Sequence, residues 1–321
     1  MKKFIKKIIL FSIPLLLIGI GAEIFLRFYP NTFNTKAKYF DENKKDIEVI
    51  FLGSSHTMDG VNPKYFSLKV ANLGYASQDF QIDSALISHY LKDLKSLKQI
   101  VWEVDYISLY KTREPDYFRY PWYKIYYNID FGKGTLINYY SMYSTSPDFF
   151  NQYIQRALFT DNLVNKYGFN EAEDEGKFSR MKYDSLAIEA ELSKKDVQVE
   201  ANVIDENNLE RNLKLVNYVE DLCRKNNIQL IFMNYPMHYT YYRNIENKKM
   251  YVYWKKFMKE KSSQGYKVLD FERNKNFSIK DFANESHLNK NGAAKLSKIL
   301  NDLMIKNKRI STHPTLGVPS K

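Results

Sequence analysis

The chain has 321 residues, 44% of them hydrophobic and 26% charged, enough apolar material for a full core, which excludes a disordered or fibrous protein. Its 48 basic and 37 acidic residues give a net charge of +11, but the lysines are scattered, without zinc-finger spacing or an RRM-type aromatic signature. The charge therefore reads as solvated surface first, attraction to an anionic polymer second and nucleic acid a distant third. The one cysteine, Cys223, excludes an internal disulfide and, among Val219, Leu222 and Ile228, reads as a buried apolar residue.

Lysines at 2, 3, 6 and 7 precede an apolar run from Ile8 to Ala22 that resumes after Glu23 through Leu26. Its length approaches the ~20 residues that cross a bilayer core. The expectation is a cytoplasmic stub and transmembrane anchor over 1–27, with the N-terminus in the cytoplasm and the main domain outside. A cleaved signal peptide competes, with Ile8 to Ile20 as its apolar region and Gly19-Ile20-Gly21 as a small-residue site. The missing Ala-x-Ala and the apolar residues beyond the site favour a retained anchor. Polar residues from 28 to 45, with Pro30, Asn31 and Asn34, predict a juxtamembrane linker.

Ile47, Val49, Ile50 and Phe51 predict a buried strand that ends in Gly53-Ser54-Ser55-His56. Ser55 is thereby delivered to a strand's carboxyl end, where ligands collect in open α/β sheets. His56 follows on the turn and is expected to line the site. Asn62-Pro63 reads as a helix opening. Val70 to Leu73 predicts a second strand closed by Gly74, Asp79 caps a helix running to Leu94, and Gln99 to Val104 predicts a third strand. This alternation argues for a parallel, doubly wound sheet.

From about 106 to 203 the rhythm breaks, and aromatic residues are dense around Trp122, Tyr123, Tyr126, Tyr127, Tyr139, Tyr140, Tyr143, Phe149 and Phe150. The segment reads as an insertion beside the sheet. Aromatic faces stack on sugar rings, so Trp122 is a candidate glycan contact, against the reading that these rings fill an interface between cap and core. A helix then carries Leu209 to Leu222, a strand runs from Ile228 to Met233, and Asn234-Tyr235-Pro236 leads to His238, a candidate substrate contact. A helix over about Asn247 to Ser262 and a strand over Lys267 to Asp270 follow.

His287 lies in the polar loop DFANESHLNKNG, just before a closing helix through Leu300 and Met304 that Asn289 or Asn291 can cap. A serine at the first strand's end needs a base, and His287 is the candidate. Residues 306–321 are expected to be a loose tail. No phosphate-cradling glycine loop or metal-ligand cluster is legible, so no cofactor and no metal are predicted.

Gly53-Ser54-Ser55, Asn72-Leu73-Gly74 and Asn284-Glu285-Ser286-His287-Leu288-Asn289, in this order, resemble the SGNH (GDSL-like) hydrolase superfamily. More closely they are similar to its membrane-anchored branch, which includes the alginate O-acetylation proteins and the D-alanyl-lipoteichoic acid protein. The resemblance covers about Ile47 to Leu303. It implies a three-layer α/β/α, flavodoxin-like domain over 46–305, with the insertion inside it. The implied activity is acyl transfer or hydrolysis on O-acyl, chiefly O-acetyl, groups of an envelope or secreted polysaccharide, served by an acyl-donating membrane partner. Ser55 would be the nucleophile and His287 the base, and the N–H groups of Ser55 and Gly74 would be oxyanion donors.

Two positions depart from the family. Its block III asparagine is absent, since Asp105-Tyr106 follows the third strand, and Asn234 is named as a spatial substitute. Its aspartate three residues before the histidine is Asn284 here, so the orienter is Asn284, Asp281 or Glu285. These departures also admit a protein that keeps the fold, has lost catalysis, and binds glycan or assists its assembly.

Overall fold

A computed structural model describes residues 2–113, 117–132, 154–155, 158–159, 163–172, 176–192, 205–243 and 245–311. Five short strands, β1 (Val49–Leu52), β2 (Val70–Asn72), β3 (Gln99–Glu103), β4 (Gln229–Asn234) and β5 (Lys267–Asp270), form one sheet in the order β2-β1-β3-β4-β5. Every neighbouring pair is parallel, with Phe51 of β1 opposite Asn72 on one side and Val101 on the other. Successive residues alternate between two buried clusters. Ile50, Leu52, Ile100, Trp102, Leu230 and Phe232 face one, while Val49, Phe51, Val101, Ile231 and Met233 face the other. Burial on both faces explains why these strands read as continuous apolar runs rather than as alternating ones.

Helix α1 (Lys2–Phe28) is long and apolar enough to cross a membrane, and the span is not buried against the rest of the chain. The expected linker over 28–45 is instead mostly a helix, α2 (Thr32–Asn43). Asn31 caps it, accepting from the amides of Phe33 and Asn34 while the Asn34 side chain returns a bond to the Asn31 amide. Phe33, Ala37 and Phe40, one face of α2 at helical spacing, enter the core. Burial of that stripe holds in place a segment whose polar residues had suggested a free tether.

Helix α3 (Ser55–Gly60) begins directly after β1, and a 3-10 turn, Pro63–Tyr65, follows it with Asn62 as its cap. Helices α4 (Phe80–Tyr90), α5 (Tyr106–Tyr110) and α6 (Tyr120–Tyr127) follow, with Asp79 accepting from the Ile82 amide at the start of α4. The described aromatic residues of α5 and α6 belong to the main core: Tyr106, Tyr110, Tyr120, Trp122, Tyr123 and Tyr127 are buried in it. The first part of the expected insertion is thus integral to the sheet's packing, while Tyr139, Tyr140, Tyr143, Phe149 and Phe150 lie outside the described residues. Helices α7 (Glu206–Lys225), α8 (Lys249–Ser263) and α9 (Lys290–Ser311) complete the domain. Helix α9 continues into the expected loose tail, of which 312–321 lie outside the described residues.

Strand β1 has β2 on one side and β3 on the other, so the chain reverses its direction of growth there. The crevice such a reversal opens lies beyond the carboxyl ends of β1 and β3.

Candidate active site

Gly53 makes the exit from β1 at φ +139°, and a Cβ there would lie 2.3 Å from Cβ of Glu103 and 2.5 Å from its Oε2. Only glycine lets β1 end so close to β3. The turn then presents Ser55 at the first residue of α3, and the loop before α9 brings His287 to it across 232 residues of sequence. Ser55 Oγ and His287 Nε2 stand 2.8 Å apart. The separation is that of a hydrogen bond, as proton transfer from a serine requires.

Asn284 fixes the tautomer. Its Oδ1 accepts from the backbone amides of Ser286 and His287, both at 2.9 Å, which identifies that atom as the oxygen. The same oxygen lies 3.1 Å from His287 Nδ1, so Nδ1 donates to it and Nε2 is left to accept from Ser55. Ser286 Oγ, 2.9 Å from Nδ1, adds a second contact on that side. Asp281 is engaged elsewhere: its Oδ2 accepts from the Ser278 amide at 2.7 Å and from Lys295 Nζ at 2.6 Å. Of the expected orienters, Asn284 holds the ring and Asp281 secures the loop. Because Oδ1 makes all of these contacts, Asp would fit at 284 and add charge. Asn284→Asp is expected to raise turnover by roughly 10- to 100-fold in a steady-state ester assay, a fraction of the ~10⁴-fold lost when a triad Asp becomes Asn, because Asn284 already holds the productive tautomer.

Beneath the turn lies a residue that the sequence reading passed over. Glu103, at the end of β3 and 2% exposed, accepts five hydrogen bonds from the residues flanking Ser55. Its Oε2 takes the amides of Ser54 (2.8 Å) and Thr57 (3.0 Å) and the Thr57 hydroxyl (2.6 Å), and its Oε1 takes the Ser54 hydroxyl and His56 Nδ1 (3.0 Å). The available signal was a carboxylate inside an otherwise apolar strand, because a buried charge persists only when paired and hydrogen-bonded. Burial would raise the Glu103 carboxyl, but the bond and charge of His56, with Ser54 and Thr57, hold it below the ordinary range. Burial alone would lower His56, yet Glu103, Asp105 and Asp59 outweigh it and raise its pKa. His287 is lowered to about 3 by burial and then by the His56 charge, with Glu103 opposing. Its ring lies 4.9 Å from that of His56.

His56, Glu103 and Asp105 offer ligand atoms within 4.8 Å of one another. A cation there would have to displace the hydrogen bonds that shape the Ser55 turn, so this donor set does not suit a metal.

Ser55, His56 and His287 line a pocket of about 220 Å³, with Asp105 and Lys111 on its wall. Ser77 also lines it, in left-handed backbone conformation at φ 63°, a strain that collects at functional sites. The other expected site residues fall elsewhere. The Gly74 amide is taken by Asn72 Oδ1 at 3.0 Å, which turns it from the oxyanion role the resemblance implied. Gly74 is nonetheless required, because a Cβ there would lie 2.5 Å from the Thr57 side chain. Asn234, at the end of β4, accepts from the Tyr235 amide at 3.0 Å and is not among the described pocket residues. His238 bonds Thr240 Oγ1 at 2.7 Å and packs on Phe178 and Phe282, away from the pocket; burial, then Arg243, lowers it to about 4.

Trp122 is 0% exposed and packs edge-on against Phe33 and Tyr75, so it is core rather than groove. Trp122→Ala is expected to destabilise the fold by about 3–5 kcal/mol, read by thermal unfolding.

Lysine 36 of α2 contributes from beneath, donating to Gly74 O at 2.8 Å and to Asn72 Oδ1 at 3.2 Å. Burial, against the pull of Asp59, lowers it to about 7. No family model matches this chain, and no curated protein matches it.

Proposed function

We propose that this chain is an exported, membrane-tethered acyltransferase or esterase of SGNH type, acting on O-acyl, chiefly O-acetyl, groups of a polysaccharide. The observation that supports it best is the 2.8 Å approach of Ser55 Oγ to a His287 whose tautomer Asn284 sets for accepting a proton. In this reading the sheet is the core of a three-layer, doubly wound domain, α1 is a retained anchor with its N-terminus in the cytoplasm, and a membrane partner supplies the acyl donor.

The Ser55 hydroxyl attacks the ester carbonyl: an O–C bond forms, the carbonyl π pair moves to oxygen, and His287 Nε2 takes the Ser55 proton. Collapse re-forms the carbonyl, breaks the bond to the leaving alcohol, and returns the proton from His287 to that alcohol. Water or a sugar hydroxyl then attacks the acyl-Ser55 ester by the same steps, giving acid or acylated product and free Ser55. The pocket, about 220 Å³, has room for an acetyl group beside Ser55.

A fluorophosphonate probe tests the proposal on the full-length protein in detergent. Covalent capture mapped to Ser55 by mass spectrometry is the expected result, with acetate release or transfer from an acetylated glycan as the companion assay. The second reading, a glycan-binding protein without catalysis, draws on the uncharged Asn284 and the engaged Gly74 amide. Folded protein that resists the probe would favour it.

A further inference from the structure

A serine acyl transfer needs hydrogen-bond donors aimed at the oxygen that becomes negative, fixed before the reaction begins. Two donors implied by family likeness are missing. The Gly74 peptide is pinned at both ends: its N–H goes to Asn72 Oδ1 and its carbonyl accepts from Lys36. The Asn72 side chain is itself anchored, its Nδ2 donating to the carbonyls of Thr57 (2.8 Å) and Val61 (2.7 Å). Where the third donor would stand is Asp105, whose Oδ1 accepts from the Ser108 amide at 2.6 Å and whose pKa burial and then Glu103 raise.

One further donor borders the same space, and against burial its pKa is raised by Glu103, Asp105 and Asp59. His56 adjoins Ser55, lines its pocket, and lies with its ring tilted 33° to that of His287 at 4.9 Å. Its Nδ1 donates to Glu103 Oε1, and Asp105 Oδ2 stands 3.7 Å away, so carboxylates surround that side of the ring. No hydrogen bond to a described residue occupies its Nε2.

We propose that the His56 imidazolium, held by Glu103, donates from Nε2 to the oxyanion of the Ser55 tetrahedral adduct, the role Gly74 has given up. This rests on the acyl-transfer reading of Ser55 and His287. A charge-assisted bond is roughly twice as strong as one from a neutral amide, so one imidazolium offsets the loss of neutral donors. It also makes the action of His287 conditional. Before attack, the positive His56 ring disfavours a second positive ring beside it; once the substrate's carbonyl oxygen becomes the oxyanion next to His56, its charge offsets that repulsion and His287 can hold the proton. The interaction is therefore stronger in the transition state than in the ground state, the condition for raising turnover.

The groups that face His56 are Glu103, Asp105 and Asp59, which favour its charge, His287, which opposes it, and the Tyr235 ring, stacked at 6.3 Å. Its midpoint is raised, so activity is expected to fall as pH climbs through that raised value. Glu103→Gln removes the nearest anion and should move this alkaline limb to lower pH.

The test is Ser55 labelling and p-nitrophenyl acetate turnover by the full-length protein, comparing wild type, His56→Ala, His56→Gln and Glu103→Gln across pH. His56→Ala is expected to lower kcat by about 10²- to 10³-fold with KM nearly unchanged, and His56→Gln to recover part of it through its neutral donor. A purely structural role would change both parameters or neither, and would leave the limb in place. Nitrogen-15 NMR of wild-type His56 supplies a readout independent of any variant's folding: a midpoint at or below the ordinary histidine range overturns the proposal. Near-wild-type turnover by folded His56→Ala also overturns it, while leaving Ser55 and His287 in place. Failure of wild-type Ser55 to react at all overturns both.

Discussion

His287→Ala is expected to slow acylation of Ser55 by on the order of 10⁴- to 10⁶-fold in a single-turnover labelling experiment, the scale seen when a serine–histidine pair loses a member. An isolated serine hydroxyl is a weak nucleophile, and Nε2 of His287 is its acceptor at 2.8 Å. Removing the ring exposes Ser55 but leaves the turn that carries it, since that turn hangs on Glu103. Unfolding temperature should therefore change little. Asp281→Asn is the control: it loosens the contact with Lys295 but touches neither reacting atom, so turnover should stay within a few-fold of wild type.

Glu103→Ala carries the other large effect, this time on the fold. It strips the acceptor from five donors at once and leaves His56 buried without its hydrogen-bonded carboxylate, with only the more distant Asp105 and Asp59 acting on its charge. Breaking a buried, hydrogen-bonded ion pair by deleting one partner typically costs about 3–5 kcal/mol. For a domain of this size, that predicts a fall in unfolding temperature on the order of 10 °C, read by calorimetry or circular dichroism.

Wild-type stability should also depend on pH in a defined way. Glu103 lies below its ordinary 4.5, so its contribution is present above that value and lost as pH falls through the folded-state midpoint. His56 lies above its ordinary 6.5, so its contribution is complete below 6.5 and lost as pH rises through the raised midpoint. His287 has the opposite sense: at about 3 when folded, it resists protonation, and the fold loses stability as pH drops from 6.5 toward 3. Of these groups, His287 weakens the fold below 6.5 and His56 above it, and denaturant midpoints of His287→Ala and His56→Ala against wild type across pH would read each contribution.

The pairing of Ser55 with His287 was legible because each has a local signature, an abrupt glycine exit from an apolar strand and a polar loop against an amphipathic helix. The sheet was legible for the same reason, its strands being continuous apolar runs with β-branched residues. Glu103 was not, because the apolar residues around it made β3 read as one hydrophobic strand, and its value comes from donors some fifty positions earlier. Helix α2 reads as linker because polar residues outnumber apolar ones along it and Pro30 and Asn31 precede it. Its signal, the Asn31 and Asn34 cap followed by Phe33, Ala37 and Phe40 at helical spacing, lay beneath that polarity. The Gly74 amide was misassigned because a family motif specifies a residue, whereas the direction of its N–H depends on the side chain of Asn72. Trp122 shows the converse, since aromatic density looks the same for a binding groove and for a core.

The carbonyl of Arg27, in the last turn of α1, accepts from Asn34 Nδ2 at 3.3 Å and from the Tyr126 hydroxyl at 3.1 Å. With α1 in a bilayer, the domain would have a short, stiff leash rather than a swinging arm, and the height of the Ser55 crevice above the lipid would be fixed by folding. On the proposed function, a polymer substrate would have to come to that height, and lengthening the junction between α1 and α2 would change which stretch of it is within reach.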